Sequence, residues 1–440
     1  MLGGEEEKKG RHLEQMSDTK RKKHGLKKYW LRTRAKILTR KAQKTPTLLT
    51  GAGSIKLVPS ELKVHKAQKP LIVTSLTLSR TETIAKLKDI LLQADIPFEI
   101  FDRILPDVSF EQCENGVAAM RSAGCDAVLA VGGGSVMDGA KLIRMGRTHG
   151  RPLASFAGIG KFRNEGAPLI CLPTNAGTGS EATVISVVRN EKTRKFDMVI
   201  DTRLPADTAI LDPALTVGLS PGVTAITAMD AFVHAIEAYT NTLHHSDSDV
   251  QASEAIRLIF ANLPKACVDG SDLASREALL RASHLAGRAL SRGFVGYIHA
   301  VAHRFGEFYR VPHGLANAIV LPYFLDLYLD ICPDRLAELA ATSGLFVELP
   351  EDDDPGNARK FVEAVRHLLY DLEIPEKAKF LREADIPKIA GAALAEVYQM
   401  SYPVPIILSK EELEAILREM LVQTTQAQTA QVQDVPAHAS

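Results

Sequence analysis

The chain lacks most of the features that would place it in a specialised class. Its five cysteines (Cys113, Cys125, Cys171, Cys267 and Cys332) are scattered and make no C-x-x-C pair. The sequence basis for an iron–sulfur centre, a cysteine-rich zinc site or a secreted disulfide framework is therefore missing. No run approaches 18 consecutive apolar residues and the opening has no apolar signal core, so neither a transmembrane segment nor a secretory leader is expected. Net charge is absent as well: 53 Lys/Arg balance 53 Asp/Glu. A neutral body argues against nucleic acid as a substrate. Cytoplasm is the expected location.

What is present is a long chain of ordinary globular composition, 45% hydrophobic and 24% charged. Its 440 residues exceed the roughly 250–300 at which single cores tend to divide, so two domains are expected. Charge is unevenly spread. Residues 1–45 hold 15 Lys/Arg against 5 Asp/Glu, a basic extension that stands apart from the core. Within it HGLKKYWLRTRAKILTRK can form a basic helix carrying Tyr29, Trp30, Leu31, Ile37 and Leu38, able to pack on its own protein, a partner or an acidic surface. At the other end residues 423–440, TTQAQTAQVQDVPAHAS and its neighbour, have almost no large apolar groups and read as a disordered tail.

Between these ends the hydrophobic period changes once. Residues 46–220 alternate strand and helix signals: KPLIVTS, FEIFD, CDAVLAV and APLICLPT read as strands, with helical stretches between them, and EATVISVVRN and KFDMVI as further strands. This alternation predicts an α/β domain on a largely parallel sheet. From SPG at 220–222 onward long helical patterns take over, predicting an all-helical domain over 221–422.

Two glycine-rich segments follow predicted strands. In AVLAVGGGSVMDGAK, Gly132, Gly133 and Gly134 let backbone N–H groups approach a diphosphate, and a helix beginning near Ser135 or Val136 turns its positive end the same way. The alternative is a tight structural turn, since GGGS is neither G-x-G-x-x-G nor a triphosphate loop. In PTNAGTGSEAT, Thr174, Asn175, Thr178 and Ser180 can form a hydrogen-bonding collar around a ribose or nicotinamide; a plain hydroxyl-rich turn is the alternative. Two such loops at the carboxyl ends of parallel strands reinforce each other, because ligands bind along that edge. Asp138 and Lys141 share a helix face and can form a local ion pair.

The second half carries a possible metal constellation. Asp230 and His234 are four residues apart, as are His299 and His303, and His313 follows in PHG. Such spacing stacks side chains on one helix face, so a carboxylate and several imidazoles can converge on one divalent ion. The donor types suit Fe²⁺, Zn²⁺, Co²⁺ or Mn²⁺ alike. Taken singly, each histidine has the plainer alternative of a hydrogen-bonded core residue. Glu237 reads as a supporting or helix-capping carboxylate rather than a ligand, and His244, His245, His284, His367 and His438 as structural or surface residues.

Taken together, LTGAGS (49–54), GGGSVMDGAK (132–141), PTNAGTGSEAT (173–183), LDPALT (211–216), AMDAFVHAIEAY (228–239) and HAVAHRFGEFYRVPHGLANAIVLP (299–322) resemble the iron-containing, or group III, alcohol dehydrogenase family across about residues 46–420. The resemblance implies a dehydroquinate-synthase-like architecture, with a dinucleotide-binding α/β domain facing a helical domain across a catalytic cleft. It implies metal ligation by Asp230, His234, His299 and His313, with His303 beside the nicotinamide and substrate as a proton handler. Gly133, Gly134 and Ser135 match the pyrophosphate loop, Asp138 a cofactor-side acid, and Thr174, Asn175 and Thr178 the loop around the nicotinamide ribose. Lys195 matches a cofactor-contacting lysine, with Arg194 its rival. The implied cofactors are Fe²⁺, or Zn²⁺, and a nicotinamide dinucleotide, and the implied assembly is a homodimer acting on a small alcohol or aldehyde.

This chain departs from the family pattern in three places. Ser75 stands in VTS where many NAD-using members have VTD. A carboxylate there binds the ribose diol and repels a 2′-phosphate, so its loss favours NADP over NAD. Asn175 and Ala228 replace a frequent Thr and Gly, and the basic opening exceeds the usual domain start. The expected reaction is metal-assisted hydride transfer between an alcohol and the nicotinamide. Reduction of maleylacetate-type oxoacids or hydroxyacid–oxoacid transhydrogenation is the nearest alternative, a lyase-type relative a further one, and an inactive metal-binding scaffold the non-enzymatic one.

Overall fold

The continuous apolar run at residues 127–132 is the centre of the architecture, because every one of its side chains is buried. The computed structural model describes residues 29–33, 35–36, 44–193, 195–346 and 353–422. Its main sheet has six strands, all parallel: β1 (Thr47–Thr50), β2 (Pro70–Val73), β3 (Glu99–Phe101), β4 (Ala127–Gly132), β6 (Leu169–Pro173) and β9 (Thr208–Leu211), in the order β1-β9-β6-β4-β2-β3. Successive residues of β4 feed opposite layers. Val128 and Ala130 join a core with Leu71, Val73 and Leu169, whereas Ala127, Leu129 and Val131 join Ile72, Ile170 and Ile210. A parallel strand covered on both faces reads as an unbroken hydrophobic stretch for this reason. A second sheet holds β5 (Gly158–Ile159), β8 (Lys195–Ile200) and β7 (Ile185–Asn190), with β7 and β8 antiparallel.

Helices α1 (Val58–Val64), α2 (Glu82–Gln93), α3 (Phe110–Ser122) and α4 (Gly134–Thr148) cross between strands. The start of α3 is fixed by a capping box, in which Ser109 Oγ accepts the Gln112 N–H and the Gln112 side chain accepts the Ser109 N–H. The chain runs from β2 outward to β3, then returns to the other side of β2 for β4. Loops after β2 and β4 therefore leave in opposite directions, which opens a crevice at their carboxyl ends.

The helical half begins at SPG for a local reason. Ser220 Oγ accepts the Val223 N–H and Pro221 occupies the first helical position. From there α5 (Pro221–Thr240), α6 (Ser246–Val268), α7 (Leu273–Gly293), α8 (Tyr297–Tyr309), α9 (His313–Ile331), α10 (Pro333–Thr342), α11 (Asp354–Asp371), α12 (Ile386–Met400) and α13 (Lys410–Glu419) enclose one continuous core. The observed fold is thus the expected parallel α/β layer followed by a helical one. Helix α9 is long and apolar enough to cross a bilayer, but most of it is buried inside this bundle, as befits a core helix. In the basic extension, Leu31 and Ala35 sit in the helical core while Tyr29 and Trp30 face outward. Ile37, Leu38 and the expected tail, residues 423–440, lie outside the described residues.

The two halves are pressed together at glycines. Gly179 has φ +57°, and a Cβ there would overlap the Ser283 carbonyl oxygen and lie 2.9 Å from the Gly287 Cα, both on α7. The Gly179 N–H donates to Ser283 Oγ (3.0 Å) and the Val184 N–H to Ser291 Oγ (3.2 Å), so α7 meets this loop through small residues on one helix face. Gly160 has similar backbone geometry (φ +65°) but open space around it. Gly160→Ala should therefore cost about 1–2 kcal/mol for the left-handed backbone alone. Gly179→Ala should cost a further ~1–3 kcal/mol from overpacking. Equal losses in denaturant unfolding of the two variants would show that the seam contact is not what requires glycine.

Candidate active site

The glycine segment after β4 serves a second purpose beyond approach to a ligand. A Cβ on Gly133 would fall 2.7 Å from Asn175 Nδ2, and one on Gly134 2.7 Å from Thr178 Cγ2. The two glycine loops are thus packed into each other, and β4 and β6 bring them side by side through the Thr174 N–H to Gly132 O bond (3.0 Å). Gly133 caps α4, whose first residue is Gly134, and Gly133, Gly134, Ser135, Asn175 and Thr178 all keep partial exposure along this lip. Unpaired N–H groups at a helix N-terminus are a ready anion site.

Asp138 commits both oxygens within the protein. Oδ1 accepts Ser180 Oγ (2.5 Å) and Lys141 Nζ (3.4 Å), and Oδ2 accepts the Val187 N–H (3.0 Å). Lys141 is fully buried and also donates to Thr183 Oγ1 and Ser180 Oγ (2.8 Å each) and Ile185 O (2.7 Å), so the pair anchors the second glycine loop to α4. Burial pulls the Lys141 pKa down, opposed by the Asp138 charge. Ser75 lies two residues beyond β2, with Oγ accepting the Leu78 N–H (3.3 Å). Asp102, just beyond β3, accepts Ser79 Oγ (3.0 Å) at the same edge and was not singled out from sequence. Lys195 stands apart: it opens β8 opposite Asn190, at the hairpin tip, with its side chain exposed. Arg194 lies outside the described residues.

The metal constellation assembles from three helices. Asp230 and His234 lie on α5, His299 on α8 and His313 at the first residue of α9. Gly314 makes the last placement workable, since a Cβ there would overlap the Ile226 carbonyl of α5. Asp230, His299 and His313 each place a donor atom within 4.8 Å of the others. Asp230 Oδ1 is 3.3 Å from His313 Nε2, 3.8 Å from His299 Nε2 and 3.9 Å from His234 Nε2. Ligand bonds of about 2.0–2.2 Å in tetrahedral geometry put donors roughly 3.3–3.6 Å apart, so the donor set fits a divalent cation. His234 is stacked on His299 (4.6 Å between ring centres) and stands outside the tight cluster of three.

Charge states match that use. Burial would push the Asp230 carboxyl up, but the neighbouring imidazoles hold it well below the usual carboxylate range. Burial drives His234 down to about 3 and also lowers His313, leaving neutral rings with free lone pairs. Burial would lower His299 too, yet the Asp230 and Glu237 carboxylates on either side of it raise it to about 9. A cation binding there displaces that proton.

Glu237 organises this corner. Its oxygens accept the N–H groups of Gly296 (2.8 Å) and Ile298 (2.7 Å), capping α8, and His299 Nδ1 donates to Oε2 (2.7 Å). The bond fixes His299 with Nε2 towards Asp230. His303, one turn on, differs: Nδ1 donates to Glu396 Oε1 (2.8 Å), and the ring stacks on His313 at 5.2 Å. Glu396 on α12 also accepts Arg304 and Tyr402, and nothing in the sequence near His303 points to it. Asn317, one turn after His313, reaches Asp230 and also went unnoticed in the sequence, although its i,i+4 spacing is visible there. His284, read as structural or surface, is buried and paired with Glu181 (3.1 Å) across the seam.

Cofactor lip and metal cluster share one helix. A Cβ on Gly177 of the second glycine loop would lie 3.0 Å from Thr227 O on α5, one turn before Asp230. That juxtaposition sets a glycine-loop lip at a parallel-sheet edge beside a buried Asp/His cluster able to hold a divalent cation, the layout of a metal-dependent enzyme. Comparison with known proteins narrows the class. Residues 45–213 match the family model "Iron-containing alcohol dehydrogenase" and residues 224–421 the "Fe-containing alcohol dehydrogenase family, C-terminal". The 1,3-propanediol dehydrogenase of Klebsiella pneumoniae is 34% identical, covering 84% of this chain and 95% of its own. Alcohol dehydrogenase 4 of Saccharomyces cerevisiae is 30% identical over 85% and 96%. The crystal structure of a 1,3-propanediol oxidoreductase superposes with a TM-score of 0.81 at 32% identity, over 86% of this chain and all of that one. The chain belongs to the iron-containing alcohol dehydrogenase family. Its activity is metal-dependent, NAD(P)-linked interconversion of alcohols and aldehydes.

Glu237→Gln keeps the size of the side chain but removes the charge that holds His299. Metal affinity should fall about 10–100-fold, and His299→Ala or His313→Ala should strip or weaken the metal and abolish turnover. Full metal occupancy with normal turnover in both histidine variants, measured by elemental analysis and assay, would refute the ligand assignment.

Proposed function

We propose that the chain exchanges hydride between a small alcohol and NADP(H), at a cation held by Asp230, His234, His299 and His313. The observation that carries this reading is the contact of the second glycine loop with α5 one turn before Asp230. When bound, the divalent ion, Fe²⁺ by preference and Zn²⁺ as the alternative, supplies Lewis acidity at the substrate oxygen, and the nicotinamide exchanges the hydride.

The protein's own groups do the rest. Gly132, Gly133, Gly134 and Ser135 with the α4 N-terminus hold the pyrophosphate. Thr174, Asn175 and Thr178 border the ribose and nicotinamide, and Asp138 keeps that border in place. Lys195 at the hairpin tip is a candidate for cofactor contact on resemblance alone. His303 donates Nδ1–H to Glu396, which leaves Nε2 as the ring nitrogen available to a substrate proton. With 23% of its side chain exposed, it can take a hydroxyl proton and pass it to solvent.

The nicotinamide preference rests on Ser75, which puts no carboxylate where a ribose diol would be read. One observation favours NAD(H) instead: Asp102 lies at the same edge, bonded to Ser79. The units 46–220 and 221–422 supply cofactor and metal sites respectively. We place the enzyme in the cytoplasm as a homodimer; all five cysteines are free, as a reducing compartment requires.

Three measurements check this reading. His303→Ala should retain metal while kcat falls about 10²–10⁴-fold; loss of the ion would make His303 a ligand. Ser75→Asp should lower the NADPH-to-NADH ratio of kcat/KM, and an unchanged ratio would remove the cofactor argument. Anaerobically purified protein, analysed for metal and assayed with both reduced cofactors against short-chain, branched and acidic carbonyls, should oxidise the cofactor. No oxidation in metal-replete protein would return the inactive-scaffold reading.

A further inference from the structure

Three of the proposed ligand atoms converge on a side chain outside the ligand set. Asn317 follows His313 by four residues on α9, shares its helix face and is fully buried. Its amide nitrogen is 2.8 Å from Asp230 Oδ1 and 3.2 Å from both His299 Nε2 and His313 Nε2. Its carbonyl oxygen is buried without a hydrogen-bond partner. Close approach of α9 to α5 at Gly314 is what lets this amide reach Asp230.

The hydrogen-bond count does not close in the metal-free site. A carboxamide nitrogen has two N–H groups, so it cannot partner all three of these atoms at once. Buried polar atoms without partners are costly, and the unpartnered Asn317 carbonyl oxygen adds to the conflict. A divalent cation removes the conflict. Once both imidazole lone pairs point at the ion, Asp230 alone needs the amide N–H.

We propose that Asn317 is the positioning residue of the metal site. While no ion is bound, the positive end of its amide dipole stands in for the cation and keeps Asp230, His299 and His313 converged. When the ion enters, the same N–H holds the Asp230 carboxylate in its binding orientation. A lysine here would repel the ion, and an apolar side chain would leave Asp230 and the two rings without this partner. The inference rests on the ligand assignment above, which its test also examines.

Full-length protein stripped with a chelator is titrated with Co²⁺ against a competing chelator, and the visible spectrum is recorded. Asn317→Leu, close in size, and Asn317→Ala, which cannot overpack, should each weaken Co²⁺ binding about 10–100-fold. The bound ion should keep the wild-type spectrum, because no ligand has gone. His299→Ala, run alongside, should lose affinity and change the spectrum. Affinity within threefold of wild type, in either Asn317 variant with wild-type circular dichroism, overturns the proposal. So does an altered Co²⁺ spectrum in Asn317→Ala, which would make Asn317 itself a ligand. If His299→Ala keeps both affinity and spectrum, the ligand assignment fails instead, and the two failures are distinguishable.

Discussion

Backbone-to-backbone approach, possible only where a Cβ is missing, is the constraint on which the rest of this structure depends. Gly179 lies against Gly287 and Ser283, Gly177 against Thr227, and Gly314 against Ile226. Each contact joins an element that presents chemistry to one that positions it. The first two press the second glycine loop onto α7 and α5, and the third presses the start of α9 onto α5. Helix α5 is therefore touched on one side by the glycine-loop lip and on another by the helix that brings His313. Interiors packed this closely transmit displacement rather than absorb it. A shift at any of these glycines would separate lip from metal cluster without altering a single ligand.

Two buried carboxylates on α5, a little under two turns apart, illustrate how surroundings divide roles. Glu237 is surrounded by donors: two backbone N–H groups and His299 Nδ1 already occupy its oxygens. Asp230 has one amide donor and faces the Nε2 atoms of three imidazoles at 3.3–3.9 Å. A carboxylate saturated by N–H groups is an anchor, and one facing lone pairs is a ligand waiting for charge. His299 lies between them and is oriented by the first to serve the second.

How much of this was legible in the sequence follows from the range over which each feature is encoded. The parallel sheet was readable because β2, β4 and β6 are buried on both faces and so appear as short unbroken apolar runs. The edge strand β1 was not, since three of its four residues are exposed and no apolar signal survives. Strand β9, though fully buried, is only four residues long, too short to declare a period. Within the site, Asp230 with His234 and His299 with His303 were visible through i,i+4 spacing. The GGGS and PTNAGTGS loops were visible as glycine clusters after strands. Their mutual packing through Gly133 with Asn175 and Gly134 with Thr178 was not, because it joins segments 40 residues apart through space. Glu396 and Asp102 are invisible for the same reason, while the Glu237 role was readable as a supporting carboxylate on the ligand helix.

The HAVAH pair shows where sequence spacing stops and tertiary structure decides. His299 and His303 occupy the same helix face, and periodicity alone makes them equivalent. Both donate Nδ1 to a carboxylate, Glu237 in one case and Glu396 in the other. What differs is what lies beyond the ring. Nε2 of His299 approaches Asp230, next to His234 and His313, in the driest part of the site. His303 lies flat against the His313 ring, at the partly exposed edge, and its carboxylate is shared with Arg304 and Tyr402. One turn of helix thus carries the pair from the buried interior beside Asp230 to the partly exposed rim beside Glu396.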